Sequence, residues 1–299
     1  MTLNPVPAGG ATAGRVCTCE CGCRERTPGY CSDLTDEEWA VLEPLLPVML
    51  CDTPLGGRPE KHWRRTMIDA MFYLADSGCK WRQLPRDFPK RQTVHAMFTR
   101  WKKDGVWADI VDLLRAKVRV AGGRAPEPSA AVIDSQSVRE SAEGVVPAAT
   151  SGFDSFKKVN GRKRHLMVDT LGLLIVVVVS AANCQDRDGA VALLRAAVRR
   201  RRYRLAKVWA DNGYHGAYRS WSKHELGIEI EIVEQDPEKK GQGFQVLPRR
   251  WVVERTNAWI SRRRRCARDY ERLPEHHAAW VQIAAIIQMT RRLANTTAG

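Results

Sequence analysis

Three carboxylates occupy positions where a carboxylate could do chemistry. Asp134 closes the apolar stretch AAVID, and small polar residues follow it. Asp211 closes LAKVWAD, and Asn212-Gly213 turns the chain directly after it. Each pattern predicts a short buried strand ending in a charge, and charges seldom sit there without a partner. Glu254 lies in RRWVVERTNAW, residues 249–259, which reads as an amphipathic helix. Arg250, Glu254 and Ala258 share one face at i, i+4, i+8 spacing and Arg262 continues it, while Trp251, Val252 and Trp259 supply apolar bulk for docking on a core. Singly, each Asp is most simply a turn former and the Glu a surface salt bridge. Together, two strand ends and a helical glutamate beside the same sheet would repel one another unless a divalent cation neutralised them. Hard oxygen ligands suit Mg²⁺ or Mn²⁺. Two such ions about 4 Å apart can activate a nucleophile and stabilise the leaving oxygen in an in-line phosphoryl transfer.

The composition names a partner for such chemistry. Over 299 residues, 48 Lys and Arg outnumber 34 Asp and Glu, a formal charge of +14. An excess of that size makes a polyanion the natural ligand, and Arg-rich surfaces suit phosphate. The longest apolar run, Leu173–Ala182, is too short for the roughly 20 residues of a membrane helix. The chain opens with no basic-then-apolar leader, so export is not expected. Nine cysteines, five of them before residue 32, form no disulfide framework and fit a reducing cytoplasm. Cys17, Cys19, Cys21 and Cys23 alternate and Cys31 follows; this spacing matches zinc sites poorly, and residues 1–31 are expected to form an unstructured tail.

The positioning elements follow in order. Thr35 and Glu38 form a capping-box signature ahead of the stripe Trp39, Leu42, Leu45 and Leu46. A second helix over about 62–77 buries Met67, Ala70, Met71 and Leu74 and stops at Gly78. Arg86, Lys90 and Arg91 then precede a helix over about 92–103, with Val94, Phe98 and Trp101 inward and Gln92, Thr93, His95, Arg100, Lys102 and Lys103 outward. Helix, turn and a second helix with a basic start is helix-turn-helix logic, which makes Arg86, Lys90, Arg91, Gln92, Thr93 and Arg100 candidate DNA contacts. A fourth helix over 107–120 closes a domain at 32–122, and AGGRAPEPS is a linker. Beyond it, 140–160 reads as an exposed loop. Strands at 164–169 and 173–181 precede a helix starting at Asp186, with a stripe of Val191, Leu194 and Val198. The pattern is a mixed α/β sheet with helices on it, over 130–295. Arg162, Lys163 and Arg164, in the basic run ending at His165, are candidates to track a phosphate backbone, as are Arg250, Arg255 and Arg262. Asp169, Asp186 and Asp188 are read as turn or capping residues, and Tyr214 and His215 as either packing or DNA contacts.

IDSQS around Asp134, ADNGYHG around Asp211 and RRWVVERTNAW around Glu254 resemble the three catalytic motifs of bacterial insertion-sequence transposases of the DDE class, nearest the insertion-sequence-five family. The resemblance runs in order over residues 33–295 and takes in LTDEEW, GCKWRQLP, the GRKRH strand and the DTLG hairpin; Arg250 and Glu254 match the family's R-x-x-x-E. It implies an RNase H-like catalytic core behind a helix-turn-helix-like domain, with Asp134, Asp211 and Glu254 holding two Mg²⁺ ions. It further implies binding of terminal inverted repeats, metal-dependent strand cleavage and strand transfer, and a dimer or higher assembly on DNA. The short span from Asp211 to Glu254 leaves no room for the inserted β-domain of some relatives. Leu247 and Ser261 stand where related families carry an aromatic residue and a lysine, with Arg262 one beyond. Two rival readings are an RNase H-like nuclease that does not join strands and a non-catalytic repressor derived from a transposase.

Overall fold

A computed structural model describes residues 26–141, 144–200, 204–233 and 249–297. Cys17, Cys19, Cys21, Cys23, Leu247 and residues 235–245 lie outside the described residues.

The described residues open with four α-helices: α1 (Asp36–Leu42), α2 (Arg64–Ser77), α3 (Arg91–Lys103) and α4 (Val106–Ala121). Thr35 and Glu38 make the full capping box at the start of α1, and Gly78, in the left-handed region at φ 68°, ends α2. The expected unstructured tail does not reach residue 31. The Arg26 guanidinium is buried against Asp33 at 2.8 Å and Asp87 at 2.9 Å and packs on the Phe88 ring, so the chain is anchored from there on. Residues 78–90 separate α2 from α3, far more than the three- or four-residue turn of a tight helix-turn-helix. That connection is occupied by a turn of 3-10 helix at Trp81–Gln83, whose tryptophan packs beside Phe98 and Trp280.

Among the described residues six strands form one mixed sheet: β1 (Ala130–Arg139), β2 (Gly152–Asp154), β3 (Val159–Asp169), β4 (Leu174–Ala181), β5 (Lys207–Ala210) and β6 (Glu229–Ile232). The long β3 pairs antiparallel with β1 along one edge and with β4 and the short β2 along the other. On the far side of β1, β5 and then β6 run parallel to it. Helices α5 (Asp186–Arg199) and α6 (Tyr218–Leu226) belong to one side of the sheet; α7 (Arg250–Ser261), α8 (Arg264–Ala267) and α9 (Pro274–Thr297) belong to the other. Residues 140–160 are therefore not simply loop, because β2 lies within them.

Period-two alternation explains the two cores. Val132, Leu166 and Val168 turn towards α7 and α9, while Ala131, Ile133 and Met167 turn towards α5. The first core is continuous with the helical front end, because Trp280, Ile283 and Ile287 of α9 pack among Met71, Phe98 and Leu114. Two buried arginines of α4 complete the joint. Arg115 donates to the Leu174 carbonyl at 2.9 Å, and Arg119 meets Asp169 at 2.5 Å. Asp169 also accepts from the Leu171 and Leu173 amides, the turn role expected of it.

Helix α5 is rotated from its expected register. Gly189, Ala190, Leu193, Leu194 and Ala197 face inward while Val198 is exposed. The reason is His165, fully buried on β3 beneath the helix, where burial pulls its imidazole down to about 4 and Nε2 pairs with Ser180 at 2.9 Å. A β-carbon at Gly189 would overlap that ring. Gly189→Ala, which in an exposed helix gains about 1 kcal/mol, should here cost about 1–3 kcal/mol through overpacking. Denaturant midpoints measure this, and an increase in the midpoint would refute the packing.

Candidate active site

Asp134 does not end its strand. The backbone pairing of β1 with β3 continues through Arg139, so Asp134 lies mid-strand opposite Leu166, on the face turned to α7. Its Oδ2 accepts a hydrogen bond from Asn257 Nδ2 at 3.0 Å. Burial and the neighbouring Asp211 raise its carboxyl to about 6, against the pull of Arg250 and Lys157. Asp211 stands immediately after β5, where parallel pairing with β1 brings it beside Asp134, and its Oδ1 caps the following turn from the Gly213 amide at 2.9 Å. Glu254 comes from α7. It shares a cation with Asp211: Arg250 Nη2 is 3.4 Å from Asp211 Oδ2 and 3.5 Å from Glu254 Oε1.

The buried side of α7 consists of Val252, Val253, Thr256, Asn257 and Ile260, so the helix docks through those residues and leaves Arg250 and Glu254 facing outward. Thr256 fixes the helix on the β3–β4 turn by donating to the Gly172 carbonyl at 2.7 Å. Trp251 does not dock on the core as its size suggested. It is exposed, and Arg255 is held between the rings of Trp251 and Trp259, with Nη2 donating to Leu171 at 3.0 Å.

Three further residues belong to the site. Asn257 holds Asp134 with its amide, and its own Oδ1 is buried without a partner among the described residues. Asp186 does not cap α5, whose N-cap is Gln185. Its Oδ1 instead accepts from Ser135 Oγ at 2.7 Å and Lys163 Nζ at 3.0 Å, on the opposite face of β1 from Asp134. Tyr214 is fully buried, and burial together with Asp134, Asp186 and Asp211 pushes its phenol up, against a hydrogen bond with Ser135 that pulls it down. An Asn at i+3 from Glu254, on the helix face that also carries Val252, Val253 and Ile260, was a usable signal for Asn257. Nothing local marks Asp186, whose partners are 51 and 23 residues distant.

Of the expected phosphate contacts, one group is internal. Arg162 and Arg164 are fully buried and Lys163 nearly so. Arg162 pairs with Asp269 at 3.0 Å; Lys163 joins Asp154 at 3.6 Å to Asp186; Arg164 donates to the Cys266 carbonyl at 2.9 Å and to Ser261 at 2.8 Å. None of the three is placed to track a backbone, because each spends its charge inside the protein. Arg86, Lys90, Arg91, Gln92, Thr93 and Arg100 are exposed along the start and outer face of α3, and Arg262 is exposed at the end of α7. His95 is not an outward DNA-facing group alone, since its ring packs edge-on against Trp81.

The donor set fits a hard divalent cation. Asp134 and Asp211 crowd one another, Glu254 stands one guanidinium away, and the unpartnered Asn257 oxygen adds a neutral donor. Among the described residues the carboxylates do not close on a single point, because Arg250 lies between two of them.

Two family profiles match the chain. The profile of a family described as "Transposase DDE domain" matches residues 125–289, and that of a transposase family of the IS4/5 group matches residues 34–111. A Burkholderia cepacia protein named for the transposase of insertion sequence element IS402 is 30% identical over 133 residues, covering 42% of this chain and 62% of that protein. A second protein of the same organism, an uncharacterized 16.2 kDa product of insertion element IS402, is 31% identical over 114 residues, 36% of this chain and 72% of its own length. An uncharacterized Sinorhizobium fredii protein, y4sN, is 28% identical over 88 residues, 28% of this chain and 64% of its own length. The chain thus spans less than two thirds of the first of these relatives. No helix among the described residues is long and apolar enough to cross a membrane.

Proposed function

The chain belongs to the family of DDE-domain insertion-sequence transposases, and from that premise we propose that it binds the terminal inverted repeats of an insertion sequence, cleaves there and joins the freed end to target DNA. Asp134, Asp211 and Glu254 are the catalytic carboxylates in this reading. The observation that carries it is their assembly from three separated segments around Arg250, with Asp134 buried beside a second negative charge. A pure binder gains nothing from that repulsion. The sheet order, with β1 central, β3 and β4 antiparallel in succession on one side and β5 and β6 parallel on the other, supports an RNase H-like core.

In the reaction, water attacks a phosphodiester at the element's end and the bond to the 3′ oxygen breaks, leaving a 3′-hydroxyl. That hydroxyl then attacks a target phosphodiester and displaces the target strand's own 3′ oxygen, which leaves as a hydroxyl, with no covalent protein–DNA intermediate. Asn257 fixes the rotamer of Asp134, and Thr256 and the buried side of α7 fix the reach of Glu254. Two Mg²⁺ or Mn²⁺ ions held by the three carboxylates would supply activation of the nucleophile and stabilisation of the leaving oxygen. Arg86, Lys90, Arg91, Gln92, Thr93 and Arg100 form the proposed end-binding surface, and Arg250 and Arg262 flank the cut. Pairing two ends calls for at least a dimer on DNA.

The test is cleavage of a labelled duplex carrying the element's own end, in Mg²⁺ and in EDTA, by wild type and Asp211→Asn. Magnesium-dependent nicking that falls on the order of 10³-fold or more in the variant, with binding retained, is the expected result. Retarded DNA with no cleavage by wild type would sink the enzymatic reading in favour of a repressor. Cleavage without joining of pre-cleaved ends would reduce the protein to a nuclease.

A further inference from the structure

The turn between β2 and β3 is built unlike an ordinary surface loop. At its tip Phe156 is 91% exposed, and Phe153 on β2 is 53% exposed. Lys157 and Lys158 follow directly, and Lys158 holds a left-handed backbone at φ 55°, a conformation that a lysine adopts only when its surroundings impose it. Asp154 organises the turn that leads into it. Its buried Oδ1 accepts from the Phe156 and Lys157 amides at 3.1 and 3.0 Å, while Oδ2 accepts from Ser137 Oγ at 2.5 Å and faces Lys163 at 3.6 Å. These contacts hold that carboxyl at about 2 although burial alone would raise it. Lys163 passes the same anchorage to Asp186 at 3.0 Å, and Asp186 binds Ser135, the neighbour of Asp134. A rigid chain of contacts therefore connects the tip to the strand that carries a catalytic carboxylate.

The tip also points its charge there. Lys157 Nζ donates to the Ser135 carbonyl at 3.1 Å, and its field reaches Asp134. An exposed aromatic ring with two adjacent ammonium groups, one of them beside the cleavage site, matches the two elements that grip single-stranded nucleic acid: a cation for the backbone and a flat face for a base.

Resting on the transposase reading, we propose that this tip grips the DNA strand at the cut, with Lys157 on the phosphate backbone and Phe156 stacked on a base unpaired beside the cleaved bond. The ring costs the protein solubility where it stands and contributes no burial to the fold, so its interaction free energy becomes available only against a ligand. The stacking is worth most on DNA that must be opened, because the ring then replaces the lost neighbour of the displaced base.

The experiment compares Phe156→Ala, Phe156→Trp and wild type on two end duplexes, one fully paired and one with mismatches flanking the cut. Phe156→Ala should cleave the paired duplex about tenfold more slowly, recover wild-type rate on the mismatched one, and leave the melting temperature unchanged; Phe156→Trp should match wild type on both. Lys157→Ala should reduce the salt slope of end binding by about one. Equal rates for Phe156→Ala and wild type on paired DNA would overturn the proposal, as would an equal loss on both duplexes, which marks a packing defect. Failure of wild type to cleave either duplex would instead remove the transposase reading and this proposal with it.

Discussion

Asp134→Asn should abolish cleavage without loosening the fold. The carboxylate sits mid-strand on β1, opposite Leu166, beside Asp211 and under α7. Asparagine has the same shape and can still turn an oxygen to Asn257 Nδ2, which now donates to Asp134 Oδ2 at 3.0 Å. The backbone pairing of β1 is untouched by the change. Removing the charge also removes the repulsion from Asp211 that, with burial, raises the Asp134 carboxyl. Thermal unfolding in EDTA should accordingly give a melting temperature equal to or above wild type, while cleavage of end DNA falls on the order of 10³-fold or more. The pairing of these two outcomes is diagnostic, since a structural carboxylate would lose stability and a catalytic one loses only rate. Cleavage within tenfold of wild type, or a melting temperature lowered by several degrees, would exclude Asp134 from the catalytic set.

The largest loss of stability is expected at Arg162. Its guanidinium is fully buried and shared among Asp269 at 3.0 Å, the Glu271 and Arg272 carbonyls, each at 2.8 Å, and both oxygens of Thr150. Burial pushes the Asp269 carboxyl up, but His277, the Glu271 amide and Arg162 outweigh it and hold the group below the ordinary carboxylate range. Arg162→Ala leaves a fully buried anion without its guanidinium partner, a change that costs about 3–5 kcal/mol in comparable buried pairs. For a chain of this size that corresponds to a melting temperature lower by roughly 5–8 °C. Equivalent truncation of Arg86 or Lys90, which are exposed, should leave the melting temperature within about 1 °C and weaken DNA binding instead. If Arg162→Ala melts like wild type and binds DNA more weakly, the residue faces phosphate after all and the internal pairing described for it is wrong.

Arg162 also shows where reading a sequence stops. A run such as GRKRH is locally indistinguishable from a phosphate-binding patch, because the partner that neutralises Arg162 is 107 residues away in the chain. The same distance hides Asn257, which meets Asp134 across 123 residues, and Asp186, whose position in the first turn of α5 suggests a cap until Ser135 and Lys163 are seen against it. Asp134 itself was legible as a carboxylate on an inner strand, yet not as a mid-strand residue. The polar run after it has no strand-like pattern of its own and is held extended by the backbone of β3.

Local patterns decided the rest. Capping chemistry at Thr35 and Glu38, the glycine at 78, the apolar stretch of β4 and the outward face of α3 are fixed by neighbours within a turn or two, and each is found as the residues dictate. The motifs around Asp134, Asp211 and Glu254 point to transposases of the DDE class for the same reason, since each is a short run of residues. By itself the sequence identified the transposase family and the order of the elements, and it singled out the three carboxylates proposed as catalytic. The tertiary structure alone decided which cations face outward and which are consumed inside, and that α9 joins the helical front end to the sheet through one core. Backbone propensity and hydrophobic period act over a few residues, whereas charge neutralisation and core packing act between segments that only the fold brings together.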